Sequence, residues 1–147
     1  MCYLSICKYV PALACLKRAL LLDPCQWLVH YNLGLLYLVT GQGASAYHHL
    51  STCLGLRPDL GLAYLCLGVA LARLGDYASA CMAYGRAPAA EPLTHLNLAI
   101  AHLNQGEKGK AREAMDQYSL LLAQGGRGTT TLGVEGEVVQ QVMAGLC

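Results

Sequence analysis

Residues Trp27–Pro58 read WLVHYNLGLLYLVTGQGASAYHHLSTCLGLRP, and residues Gly61–Pro92 read GLAYLCLGVALARLGDYASACMAYGRAPAAEP. Gly34, Gly41, Ala46 and Pro58 return 34 residues later as Gly68, Gly75, Ala80 and Pro92. A fixed period of roughly 20–50 residues marks a stacked-repeat architecture, because one such unit cannot bury its apolar face alone. Within each copy the apolar residues recur at three- and four-residue spacing, which is helical. The spacing therefore predicts an all-α solenoid of antiparallel helix pairs.

The same template extends both ways. Downstream, Ala99, Gly106, Ala111 and Met115 match Gly68, Gly75, Ala80 and Tyr84 at a step of 31. Three residues are missing from the loop before this unit, so Pro92 falls at the start of a helix, where its absent N–H costs nothing. Upstream, Tyr9–Leu22 carries Ala12, Leu16, Ala19 and Leu20 on one face and ends at Asp23-Pro24. It reads as the second helix of an incomplete unit, with Met1–Cys7 as the tail of a helix whose beginning is absent. That predicts a chain starting partway through a longer repeat array. The expected organisation is a half-unit 1–24, units 25–58, 59–91 and 92–123, a Gly/Thr-rich linker 124–133 and a C-terminal helix over 134–147.

Small residues explain the register. Gly34, Gly68 and Ala99 are expected where the two helices of a hairpin approach most closely, with Ala46, Ala80 and Ala111 opposite. Tyr37, Leu50, Leu71, Tyr84 and Met115 are expected to fill the space between neighbouring hairpins. Gly41, Gly75 and Gly106 supply the left-handed residue past a helix end.

Composition narrows the function classes. The net charge of +1 offers no electrostatic footprint for nucleic acid or an anionic membrane. The longest apolar stretch, Leu60–Ala72, is too short to span a bilayer, so no transmembrane segment is expected. Charged residues are 13% of the chain, about half the usual share, which points to surface covered by other chains. The eight cysteines form no C-x-x-C pair and no zinc spacing, and sit mostly at helical core positions as reduced small hydrophobes, favouring the cytoplasm.

Motifs that carry chemistry fail in turn. Gly106–Ala111 resembles a phosphate loop only faintly, since Asn104 stands where glycine is needed and Ala111 where a hydroxyl would hold magnesium. His48 and His49 are adjacent and project about 100° apart on a helix, so they cannot share one metal. His30, His95 and His102 have no H-x-x-x-H partner. Lys108, Lys110 and Arg112 are interleaved with Glu107, Glu113 and Asp116, a solvated face. No catalytic residue, metal or cofactor is expected.

One stripe remains. On the first helix of each hairpin, the inner-wall positions are Leu28, Tyr31, Asn32, Leu35 and Leu38, then Leu62, Leu65, Val69 and Arg73, then Leu93, Leu96, Asn97, Ile100 and Asn104. So many apolar side chains in a row are expected to bind an extended or helical partner segment. The row lacks the Lys/Asn/Arg set that would grip a terminal carboxylate.

The repeat itself resembles the tetratricopeptide repeat, over Met1 to about Tyr118, with about three repeats plus a half-repeat. A closer likeness lies in residues outside that consensus. Met1-Cys2-Tyr3, Lys8-Tyr9-Val10, Cys15-Leu16-Lys17-Arg18-Ala19, Trp27, Tyr31-Asn32-Leu33-Gly34-Leu35, Ala44-Ser45-Ala46-Tyr47-His48 and Asn104-Gln105-Gly106-Glu107-Lys108 resemble the C-terminal repeats of the Bardet–Biedl syndrome 4 family of BBSome subunits. The resemblance implies a non-catalytic scaffold in cilium assembly and ciliary membrane-protein trafficking. It implies other BBSome subunits and pericentriolar or dynein–dynactin proteins as partners, at the ciliary basal body, centriolar satellites or centrosome. The alternative is an unrelated tetratricopeptide adaptor in intracellular transport or cell-cycle machinery. Gln124 onward does not match the family pattern.

Overall fold

A computed structural model describes residues 3–125 as seven helices with no strand among them: α1 (Tyr3–Leu22), α2 (Trp27–Val39), α3 (Gly43–Leu56), α4 (Gly61–Arg73), α5 (Tyr77–Arg86), α6 (Pro92–Asn104) and α7 (Lys108–Gly125). The fold is an all-α tetratricopeptide-type solenoid. α1 is one continuous helix that accommodates Pro11 in its interior, rather than a separate tail followed by a helix. α7 runs through Gly125, into the stretch read as a linker. The rest of that linker and the helix expected over 134–147 lie outside the described residues.

The turns show how the template works. Gly41, Gly75 and Gly106 have φ of 80°, 85° and 81°, the left-handed region that only glycine enters cheaply. Each closes a Schellman cap. Gln42 N–H donates to Tyr37 C=O at 2.8 Å, Asp76 N–H to Leu71 C=O at 3.0 Å, and Glu107 N–H to His102 C=O at 2.8 Å. The glycine N–H groups reach Leu38, Ala72 and Leu103 C=O at 3.2, 3.0 and 3.0 Å. Three identical caps reverse the chain three times, and so make three similar hairpins: α2–α3, α4–α5 and α6–α7. At the start of α5, Asp76 Oδ1 accepts the Ser79 N–H at 3.2 Å, an N-cap. Pro92 occupies the first turn of α6, as the shortened loop requires.

Inside each hairpin the crossing is tight. A methyl on Gly34 would lie 2.5 Å from Leu50 Cγ, and one on Gly68 only 2.3 Å from Tyr84 Cε1. The residues facing the glycines are therefore Leu50 and Tyr84, within the same hairpin. This corrects the sequence-based placement of Leu50 and Tyr84 between hairpins. Ala46, Ala80 and Ala111 are fully buried one turn away. In the third hairpin Ala99 packs in one cluster with Met115 and Tyr118.

Between hairpins, each first helix packs on the hairpin before it. Cys66, Leu67 and Ala70 of α4 join the cluster built by Leu33, Tyr37 and Leu50. Leu93, Leu98 and Ala101 of α6 join that of Leu65, Ala80 and Tyr84. The first helices also touch one another, α2 with α4 and α4 with α6, whereas among the described helices the second ones do not. The stack is closer along α2, α4 and α6, so it curves with those helices on the inside.

Candidate protein-binding wall

The inner wall is built from three helices with few charges. α2, α4 and α6 contain no acidic residue, and Arg73 is the one Lys or Arg among them. The side chains the sequence put on this wall divide into three groups. Leu28 and Leu62 stand at equivalent places in successive repeats, each 46% exposed, and Leu93 follows them half-buried. Tyr31, Asn32, Leu35, Val69, Asn97 and Ile100 are half-buried. Leu38, Leu65 and Leu96 are buried at 7%, 8% and 3% exposure and serve packing between neighbouring helices, so they offer no surface to a partner.

Two of the proposed polar anchors are already engaged. The Arg73 guanidinium donates to the Leu38 carbonyl, capping the C-terminal end of α2 from the next repeat. Asn104 Nδ2 donates to its own helix at Ile100 C=O, 2.9 Å away. Tyr31 of α2 and Cys66 of α4 pack against the same core cluster, with the phenol beside the thiol. Burial, followed by the neighbouring thiol, pushes the Tyr31 phenol up to about 12, and burial pushes the Cys66 thiol up to about 11. Both stay protonated near neutrality, which suits a neutral wall. The Asn32 and Asn97 amides carry no hydrogen bond among the described residues and remain open to a partner's backbone.

Away from the wall, two side-chain groups were not foreseen. His30 Nδ1 meets His49 Nδ1 at 3.2 Å, and His30 Nε2 lies 2.9 Å from Pro24 C=O. The carbonyl can only accept, so His30 carries its proton on Nε2 and accepts at Nδ1 from His49. Nothing in a separation of 19 residues announces this contact. Burial, then the charges of His48, His30 and Lys17, lowers His49 to about 4. The second group is Cys81, His102 and Glu107. His102 Nδ1 bonds Glu107 Oε2 at 3.0 Å, and the same nitrogen lies 4.0 Å from Cys81 Sγ. A nucleophile relay needs one imidazole nitrogen for the thiol and the other for the carboxylate. Burial and then Glu107 also push the Cys81 thiol up, away from the reactive thiolate. The cluster closes the α6–α7 turn.

Among the described residues no group of His, Cys, Asp and Glu is arranged to hold a metal, and no helix is long and apolar enough to cross a membrane. On the outer side a shallow hollow of about 340 Å³ opens between α3 and α5, with Tyr47 and the exposed Met82 on its rims and Leu67 and Leu71 in its floor.

Comparison with known proteins gives a consistent outcome. No protein-family model matches the chain. It is 45% identical over 121 residues to the cattle BBSome complex member BBS4, and 43% identical over 124 residues to that of Xenopus tropicalis. These matches take in 80% and 82% of the chain but 23% of each relative. A fruit-fly homologue is 30% identical over 133 residues, 84% of the chain and 27% of the relative. The chain thus spans about a quarter of the length of the curated relatives it matches. Two crystal structures of MamA share the fold. One has a TM-score of 0.74 at 23% identity, covering 92% of this chain and 82% of the other. The second has a TM-score of 0.71 at 19% identity, covering 78% and 64%.

Proposed function

We propose that this chain, homologous to BBS4 across its repeat array, is a non-catalytic interaction scaffold of the BBSome type, serving cilium assembly and ciliary membrane-protein trafficking. The observation that carries this reading is the 43–45% identity, sustained over about 80% of the chain. It exceeds what a shared repeat alone requires, since the MamA structures reach the same fold at 19–23%. Its partners are other BBSome subunits, together with pericentriolar or dynein–dynactin proteins. Its place is the cytoplasm at the basal body, centriolar satellites or centrosome.

On this reading a partner segment lies along α2, α4 and α6. Leu28, Leu62 and Leu93 anchor it by apolar contact, Tyr31, Leu35, Val69 and Ile100 floor the groove, and the Asn32 and Asn97 amides bond its backbone. Arg73 and Asn104 hold the wall rather than the partner. The test is co-precipitation of tagged chain from ciliated cells, read by mass spectrometry. Other BBSome subunits are expected with the wild type. They are expected to be lost with Leu28→Asp plus Leu62→Asp, while helical circular dichroism is unchanged because both positions are already exposed. Recovery of transport or cell-cycle proteins without BBSome subunits would favour the unrelated adaptor. Unchanged recovery with the double variant would refute the inner-wall site.

A further inference from the structure

The last hairpin is buried on a face that no described helix covers. In the second hairpin, Leu65 of α4 and Tyr84 and Ala87 of α5 are 8%, 3% and 8% exposed. They owe this to α6, whose Leu93, Leu98 and Ala101 join their cluster. The repeat-equivalent residues of the third hairpin, 31 positions on, are Leu96 of α6 and Met115 and Tyr118 of α7. Each is 3% exposed. Their cluster draws on α6 and α7 alone, and α7 touches only α6 among the described helices. Two helices in contact cannot enclose the side chains that face away from their own seam. Tyr118 also stands where the earlier hairpins have the smaller Cys53 and Ala87, so this face has more to cover. α1, which touches α2 alone among the described helices, lies at the opposite end of the stack. The part of the chain within reach is therefore the stretch after α7.

We propose that residues 134–147 are a capping helix that lies on α6 and α7 as α4 lies on the first hairpin and α6 on the second. The sequence fits that place. Val138, Val142 and Leu146 recur every four residues and put an apolar stripe along one side of a helix, which Val139 and Met143 widen. Glu137, Gln140 and Gln141 fall on the opposite side. An apolar side for the stack and a polar side for water is what the terminal element of a solenoid requires. A helix over 134–147 is also close in length to α2, α4 and α6, each of 13 residues. The connection 126–133 is longer than the loops 57–60 and 87–91 that lead into α4 and α6, so it has the reach. Gly136 and Gly145 weaken such a helix standing alone, so it depends on the hairpin it covers. The consequence is that the chain closes its own downstream end. The α6–α7 face is then closed to a second copy stacked head to tail, and partners are left the inner wall. This inference is independent of the BBSome reading, because it rests on burial at repeat-equivalent positions.

Hydrogen exchange on the full chain, read by mass spectrometry, tests the cap. Amides of residues 138–146 are expected to exchange at least about tenfold more slowly than in a synthetic peptide of residues 132–147. Val138→Asp plus Val142→Asp is expected to abolish that protection and lower the melting temperature. It should also bring on apolar-dye binding and self-association, as the face of Leu96, Met115 and Tyr118 opens. Gln140→Lys plus Gln141→Lys, on the outer side, is expected to change none of these. Exchange of 138–146 at the peptide's rate in the unaltered chain would overturn the proposal, whether or not the Asp variant folds. So would wild-type melting without dye binding in the Asp variant, or equal damage from the two double variants. Protection that vanishes when the chain is diluted would make a second copy the cover, and would overturn it too.

Discussion

The hairpins α2–α3 and α4–α5 cross on a glycine, and the hairpin α6–α7 crosses on an alanine. Gly34 and Gly68 each sit under a side chain that is bulky close to its backbone: the branched Cγ of Leu50 and the ring of Tyr84. Ala99 shares its cluster with Met115, an unbranched chain with three rotatable bonds that can bend around a methyl. The small-residue rule of this repeat is thus a property of a pair. What must be small on the first helix depends on how near its backbone the facing side chain becomes wide.

This difference can be broken most forcefully at Gly68. Replacement by tryptophan leaves nowhere for the side chain against Tyr84, and loss of the cooperative thermal transition is expected. Gly68→Ala is the more instructive change. In an open helix it would stabilise by about 1 kcal/mol. Here its methyl would lie 2.3 Å from the Tyr84 ring, so a loss of about 1–3 kcal/mol is expected by urea unfolding. Combining it with Tyr84→Met reproduces the third hairpin's pairing and should recover much of that loss. A double-mutant cycle showing simple additivity would mean the two crossings do not differ for the reason given.

The turn glycines provide a control in which all three hairpins should behave alike. Gly41, Gly75 and Gly106 have nothing within 4 Å of where a Cβ would stand, so crowding plays no part. Only their positive φ matters. Alanine at each should cost about 1 kcal/mol, by the same amount in each hairpin, and asparagine less. Unequal losses, measured by chemical denaturation, would show that the caps are not the interchangeable parts their hydrogen bonds indicate.

How far the sequence was legible follows from which of these features depend on spacing alone. The glycine turns and the number of hairpins were readable, because steps of 34 and then 31 residues bring the same template back. The partner of each crossing glycine was not. Ala46 and Leu50 lie one turn apart on the same helix face, and which of them stands under Gly34 depends on how far α3 slides along α2. The wall was half legible for a related reason. Leu62 and Leu65 are three residues apart on one stripe of α4. α6 and the α5 side of the stack bury Leu65, whereas Leu62 at the helix start stays open. A single-helix pattern cannot say which edge of a stripe the neighbouring helices will cover.

The smallest effect separates the first hairpin from the third by their histidines. In the first, His49 donates to His30 across α2 and α3 and stacks on Tyr37 with ring centroids 5.5 Å apart. In the third, His102 bonds a carboxylate, Glu107, which also pairs with Lys110 at 3.1 Å. Around His49 stand His30, His48 and Lys17, with no acid among the groups acting on it, and its folded pKa falls from 6.5 to about 4. A group whose folded pKa is depressed binds fewer protons folded than unfolded between those values. Stability from the neutral His49 is therefore fully present above pH 6.5 and is lost progressively as pH falls toward 4. The ring is only partly buried, so solvent screening holds the effect to roughly 1 kcal/mol. His49→Asn should flatten the fall in melting temperature over that window relative to wild type. If the variant keeps the wild-type slope, acid sensitivity lies outside this ring, and the His30–His49 bond is a packing contact without a titration consequence.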